Sequence, residues 1–316
     1  MDGTLTQSEG VVPTEAPPAG VKRWLDISGD VGPALESIRE LFGLHPLAIE
    51  DCRQFDQRPK LEEYRDHLFL VTQGFSLPES SRELGLHELH AFLGPNYLVT
   101  VHEDALGAVD DVWRRVTSNA SVIERGVDFV YYLVATRLVE GNFPIIDQIA
   151  DELEELEDRV LSAPVREDLG RIFALKRKLV GMRKVLSPQR DTIAMLARRG
   201  DSRVSERTSH YFRDVHDQLV RLNESIEANR DLLGNALDAY LSSMSNRTNE
   251  IMKYLTLLSA VFLPLAFIVG FFGQNFENLP GLHDWTRSDR LMYTMIGLCV
   301  ATPTGMLLWF RSRRWI

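Results

Sequence analysis

DLLGNALDAYLSSMSNRTNEIMKYLTLLSAVFLPLAFIVGFF, residues 231–272, changes character halfway along while keeping one period. Its second part, Tyr254–Phe272, holds no ionisable side chain except tyrosine. At about 20 residues it has the length that crosses a hydrocarbon core of about 30 Å. Leu291–Phe310 is a second run of this kind. Stepping from Asp231 alternately by four and three residues meets Asn235, Asp238, Ser242, Ser245, Asn249, Met252, Thr256, Ser259, Leu263, Ala266, Gly270 and Gly273. Such a step follows one face of a helix in a left-handed bundle, and in a coiled coil that face is Leu, Ile or Val. Here almost every member is small or polar. The large apolar residues Leu232, Leu233, Leu237, Leu241, Ile251, Tyr254 and Leu258 lie off it.

Two explanations fit a face of this composition. Small residues let membrane helices pack closely, and for Ser259, Ala266 and Gly270 alone that reading is as good as any. Close packing does not call for a carboxylate, however, and Asp231, Asp238, Asn235 and Asn249 share the face. The whole set suits parallel helices around a water-filled axis. At about 1.5 Å per residue, residues 231–273 would line roughly 60 Å, about twice the hydrocarbon core. Carboxylates and amides are hard oxygen ligands suited to hydrated Mg²⁺. Met252 and Leu263 would be apolar constrictions that gate by dewetting, and Pro264 permits a kink. Gly273-Gln274-Asn275 ends the run, either as a helix cap or as the outer mouth of the path, where Asn275 would meet the water shell of a cation.

Outward from this stretch the chain is soluble in character. Residues 1–20 are rich in Pro, Gly and Thr with no apolar core, which predicts a disordered tail rather than a secretory signal. Residues 21–125 predict an α/β domain: strands at Val21–Ile27, His67–Phe75, Leu86–Leu93 and Tyr97–Val101, and a helix at Val31–Phe42. Residues 126–250 predict a helical region that includes a stalk helix, with breaks at Ser162–Pro164 and Arg199–Ser205. Within it, the acidic Asp147–Asp158 and the basic Arg171–Lys184 predict an antiparallel helix pair held by opposite charge. Residues 251–316 are the membrane region, with spans at 254–272 and 291–310 and an outer loop at 273–290. Arg247, Lys253, Arg311, Arg313 and Arg314 flank the spans, so both chain ends are expected in the cytoplasm.

Composition removes several classes. A net charge of -10 argues against nucleic acid as partner. Cys52 and Cys299 lie in unlike surroundings and do not suggest a disulfide. No Walker A loop, GxGxxG or HExxH occurs, so an enzyme is not expected. His45, Glu50 and Asp51 read as a turn and a helix start rather than a metal site.

NRTNEIMKYLTLLSAVFLPLAFIVGFFGQNFENLP at Asn246–Pro280, HPLAIEDCRQFDQRPKLEEYRDHLFLV at His45–Val71, YFRDVHDQ at Tyr211–Gln218 and LDAYLSSMSNRTNE at Leu237–Glu250 together resemble the CorA family of magnesium channels, the two-transmembrane GxN group. The resemblance implies a funnel-shaped homopentamer in the cell inner membrane, with an α/β/α cytoplasmic domain, a long stalk helix and a basic ring from the C-terminus. It implies no cofactor beyond the transported divalent cation. Its pore positions fall on Asn249, Met252, Leu255 or Thr256, Leu263, Ala266, Gly270 and Asn275, and a stalk acidic ring on Asp238. Three departures stand out. Gln274 replaces the usual Met. Leu279-Pro280-Gly281-Leu282 lacks the usual Glu, leaving Glu277 and Asp284 as the nearest outer carboxylates. Pro78 stands where an Asp is expected to pair with Asp214 in a regulatory metal site, so gating by cytoplasmic Mg²⁺ is expected to be weaker or to use Glu79 or Asp217.

Two other readings remain at this level. A zinc transporter, possibly proton-coupled, on the same scaffold would draw on His283 and His216. A non-conducting membrane-anchored structural or sensor protein would have an apolar seam, which residues 231–273 lack.

Overall fold

Short alternating runs become a five-stranded sheet. β1 (Arg23–Ser28), β2 (Lys60–Glu63), β3 (Leu68–Ser76), β4 (Gly85–Leu93) and β5 (Tyr97–His102) lie in the order β1-β5-β4-β3-β2. β1 runs parallel to β5 and the other pairs are antiparallel. The helices among the described residues are α1 (Gly32–Phe42), α2 (Pro46–Arg53), α3 (Gly107–Ser118), α4 (Ser121–Glu124), α5 (Val127–Glu140), α6 (Phe143–Ser162), α7 (Arg166–Leu196), α8 (Glu206–Phe272) and α9 (Asp289–Ser312). The computed structural model describes residues 5–29, 31–78, 83–198, 203–273 and 289–315. The chain divides into two compact units, Met1–Ala239 and Tyr240–Ile316.

Successive strand residues point to opposite faces, and both faces of this sheet are covered. On one, Phe69, Val71, Phe92, Val99 and Val101 meet Leu35 and Ile38 of α1 and Ala48 and Ile49 of α2. On the other, α5 lies against β3, β4 and β5, and α7 against β2 and β3. The approach of α5 is close enough that a Cβ on Gly74 would stand 3.0 Å from Leu138 Cδ2. The first unit is therefore an α/β/α sandwich, and the expected boundary at residue 125 falls inside it.

Where β3 runs past the edge strand β2, buried side chains take its free N–H groups. β2 pairs only with Leu68–Val71, so β3 outruns it. Beyond the end of β2, the Gln73 N–H donates to Gln189 Oε1 at 2.7 Å and the Phe75 N–H to Asn142 Oδ1 at 3.2 Å. Both amide side chains are buried. They satisfy donors that an open edge would leave for another strand.

The helices carry the charge pattern forward. α6 and α7 form the expected hairpin, with Arg171 at 3.6 Å from Glu152 and 3.7 Å from Glu155, and Lys178 at 3.6 Å from Glu152. At the start of α8, Ser205 Oγ accepts from the Thr208 N–H at 3.2 Å and donates to Asp128 Oδ2 at 2.8 Å. That hydroxyl caps one of the open N–H groups of the first turn. The chain before β1 is anchored as well: Asn96 Nδ2 donates to the carbonyls of Pro17 at 3.0 Å and Val21 at 3.2 Å.

Candidate functional site

α8 bears two stripes, each with the four-three step. In the first unit one stripe is buried: Phe212, Val215, Leu219, Leu222, Ile226, Asn229, Leu233 and Ala236. Apart from Asn229 it is apolar, as a helix face packed on a core should be. Asp231, Asn235 and Asp238 lie about two residues out of step with Leu233 and Ala236, close to the opposite face, and all three are exposed.

In the second unit the same step continues through Ser242, Ser245, Asn249, Met252, Thr256, Ser259, Leu263, Ala266, Gly270 and Gly273, and every one is exposed. Exposure alone does not single these residues out, because Tyr254, Leu258, Phe262, Phe267, Val269 and Phe271 are exposed too. Chemistry separates them: the off-seam residues are large and apolar, the seam residues mostly small or polar. Met252 at 55% and Leu263 at 76% exposure are the two large apolar members of the seam. Leu255, also exposed, flanks it. The shielded residues Leu257, Ala260, Val261, Pro264, Leu265, Ile268 and Phe272 fall on another stripe of the helix.

Local geometry sharpens two seam positions. Thr256 Oγ1 donates to the Met252 carbonyl at 2.7 Å, which leaves its lone pairs directed away from the helix as acceptors. At Gly273 the N–H donates to the Val269 carbonyl at 2.8 Å. A Cβ there would stand 3.0 Å from that carbonyl oxygen, so the helix end closes most easily on glycine. Gln274, Asn275, Glu277, His283 and Asp284 lie outside the described residues, as does Glu79.

Asp214 and Asp217 are exposed on the first unit's part of α8. Asp214 Oδ2 accepts from Gln218 Nε2 at 3.0 Å, and Asp217 Oδ1 lies 3.3 Å from His216 Nδ1. Sequence reasoning did not anticipate these pairings, although the i, i+4 spacing of Asp214 and Gln218 carries the signal for the first. Among the described residues, no group of three or more His, Cys, Asp or Glu side chains gathers to hold a metal. A single chain therefore offers isolated oxygen ligands on a stripe rather than a closed site.

An α/β/α unit whose last helix continues into the first of two apolar spans, with a polar stripe along that helix, defines a two-span membrane protein of the transporter type. The chain belongs to the CorA-like Mg²⁺ transporter protein family, whose pattern matches residues 20–314. It is 33% identical over 316 residues to the cobalt/magnesium transport protein CorA of Thermotoga maritima, covering 98% of this chain and 88% of that one. It is 32% identical over 292 residues to the putative metal ion transporter YfjQ of Bacillus subtilis, covering 92% and 89%. The complete structure of the CorA magnesium transporter from Methanocaldococcus jannaschii shares the fold, with a TM-score of 0.81 at 24% identity over 93% of this chain and 91% of that one.

Proposed function

We propose that this chain is one subunit of a homopentameric divalent-cation channel, suited above all to Mg²⁺, whose path is lined by α8. The observation that carries the reading is the exposed seam. Apart from the Met252 thioether, its side-chain ligands are oxygens: carboxylates at Asp231 and Asp238, amides at Asn235 and Asn249, hydroxyls at Ser242, Ser245, Thr256 and Ser259. Mg²⁺ keeps part of its water shell and is held by oxygen, whereas Zn²⁺ is bound mostly through imidazole and thiolate, with carboxylate as a further ligand. The seam therefore favours Mg²⁺ over zinc, and cobalt/magnesium transport by the Thermotoga maritima relative supports the same choice.

In this reading Asp231 and Asp238 form acidic rings in the stalk that collect hydrated cations. Asn249, Thr256, Ser259, Ala266 and Gly270 pass them along, while Met252, Leu255 and Leu263 narrow the path. Gly273, Gln274 and Asn275 make the outer mouth, where Glu277 and Asp284 raise the local cation concentration. Both chain ends lie on the cytoplasmic side of the cell inner membrane, by the basic residues that flank the spans. The Asp214, Asp217 and Glu79 region serves as a regulatory metal site weakened by Pro78.

The deciding experiment is Mg²⁺ flux into liposomes holding the purified protein. Asn275→Ala should abolish uptake with assembly intact, and unchanged flux would refute the role of that residue. Raising Mg²⁺ on the soluble-unit side of excised patches should close the native channel only shallowly. Steep closure that vanishes in Asp214→Ala would show an intact regulatory site and overturn that part.

A further inference from the structure

α9 ends in a built cap. Arg314 has φ 58°, its N–H donates to the Arg311 carbonyl at 3.1 Å, and the Trp315 N–H donates to the Phe310 carbonyl at 3.0 Å. Two such bonds around a left-handed residue are the Schellman arrangement, which satisfies carbonyls that a helix end leaves open. Glycine is the usual occupant of the left-handed position, because a side chain there meets steric cost. Here an arginine holds it.

The apolar contact that accompanies such a cap is large. Trp315 lies nearly parallel on Phe310, with centroids 5.9 Å apart and planes at 10°, and Trp309 is 6.3 Å from Trp315. Phe310 is left 3% exposed. Around this aromatic block Arg311, Arg313 and Arg314 are exposed, and the Arg313 guanidinium sits 5.9 Å over the Trp309 ring. After Asp289 the sequence contains no further Asp or Glu.

Three exposed arginines, one of them over an indole ring, at the end of an apolar span, match one kind of ligand. Guanidinium binds phosphate in a bidentate manner. Indole rings settle at the boundary between acyl chains and headgroups. The cap fixes the backbone from which these groups extend, which removes the main-chain part of the ordering cost.

We propose that the Trp309–Trp315 cap is a binding site for the headgroup of an anionic phospholipid, with the arginines on the phosphate and Trp309 and Trp315 at the acyl boundary. It rests on the reading of α9 as a membrane span and goes beyond cation transport, because it assigns the chain a lipid partner of defined charge. The test uses the full-length protein in phosphatidylcholine nanodiscs doped with phosphatidylglycerol, with lipid retained per chain read by native mass spectrometry. The native protein should retain phosphatidylglycerol selectively. The triple variant R311Q/R313Q/R314Q should hold it on the order of a hundredfold more weakly. Trp315→Ala, which keeps every charge but removes the stacking, should give an intermediate loss. Arg314→Gly, which suits the left-handed position, should keep the cap and lose only one charge's share.

Equal retention by the triple variant would overturn the site. So would displacement of the lipid by inorganic phosphate alone, which would mark a free-anion site, or loss of oligomer with lipid still bound, which would assign the arginines to a neighbouring chain. Failure of the native protein to enter phosphatidylcholine bilayers at all would remove the membrane reading and this proposal with it. Normal insertion with equal retention would remove only the proposal.

Discussion

The two halves of α8 obey the same arithmetic and put it to opposite use. From Phe212 to Ala236 a four-three repeat is hidden and, but for Asn229, apolar; from Ser242 to Gly273 a four-three repeat is displayed and mostly polar or small. Period therefore tells which residues share a face, but not what the face meets. Composition tells that. A stripe of Leu, Val and Ile has a core to bury in, whereas a stripe of Ser, Thr, Asn and Asp has water as its natural neighbour.

The contrast can be broken most sharply on the displayed side. Ala266→Phe places a bulky ring on the seam without touching a buried residue. We expect cation flux in liposomes to fall at least roughly a hundredfold, by closure of a narrow path. The oligomer should run unchanged on size exclusion. If flux persists, the seam packs against protein and does not line a channel.

On the hidden side the effect should be on stability. Ile226 is fully buried in the apolar stripe, so Ile226→Ala should cost about 2–5 kcal/mol through lost contacts and a cavity. Denaturant unfolding of the full chain measures this. A loss below about 0.5 kcal/mol, typical of exposed positions, would erase the distinction between the two stripes.

A third test asks whether a polar group hidden in the first unit behaves unlike one on the seam. His67 is 2% exposed, and among the described residues neither ring nitrogen has a hydrogen-bond partner. Burial pushes its pKa down to about 4. The folded chain then keeps this imidazole neutral where the unfolded chain, with a value near 6.5, takes up a proton. Its contribution is whole above about pH 6.5, is lost as the pH falls, and levels off below about pH 4, for at most about 3 kcal/mol. His67→Phe should flatten that part of the profile. His102 acts in the opposite sense: burial opposes its charge, but hydrogen bonding and attraction to Asp26 prevail and raise its pKa, so its stabilisation fades as the pH rises. Identical acid profiles for the native chain and His67→Phe would show that the imidazole is not held neutral.

Much of this was legible in the sequence, for definite reasons. The strands around Leu68–Ser76 and Tyr97–His102 announce themselves by β-branched and aromatic residues, and the two spans by unbroken apolar length. The α6–α7 hairpin follows from complementary charge. β2 gives no such signal, because Lys60-Leu61-Glu62-Glu63 holds one apolar residue and forms a strand only where β3 offers an edge. The unity of the first unit was hidden too, since α5 and α7 reach the sheet from far along the chain and nothing local marks that contact. Gln189 and Asn142 look in the sequence like surface amides. Only the fold places them over the ends of two unpaired N–H groups.

Those two amides have a consequence for what the margin of the sheet can pair with. An assembly of several subunits gathers as many sheets at high local concentration, and any sheet with a bare margin is adhesive toward its twins. Strand-to-strand joining would then compete with the intended association and favour fibres over closed rings. By occupying the two N–H groups beyond β2, Gln189 and Asn142 take two donors out of that margin.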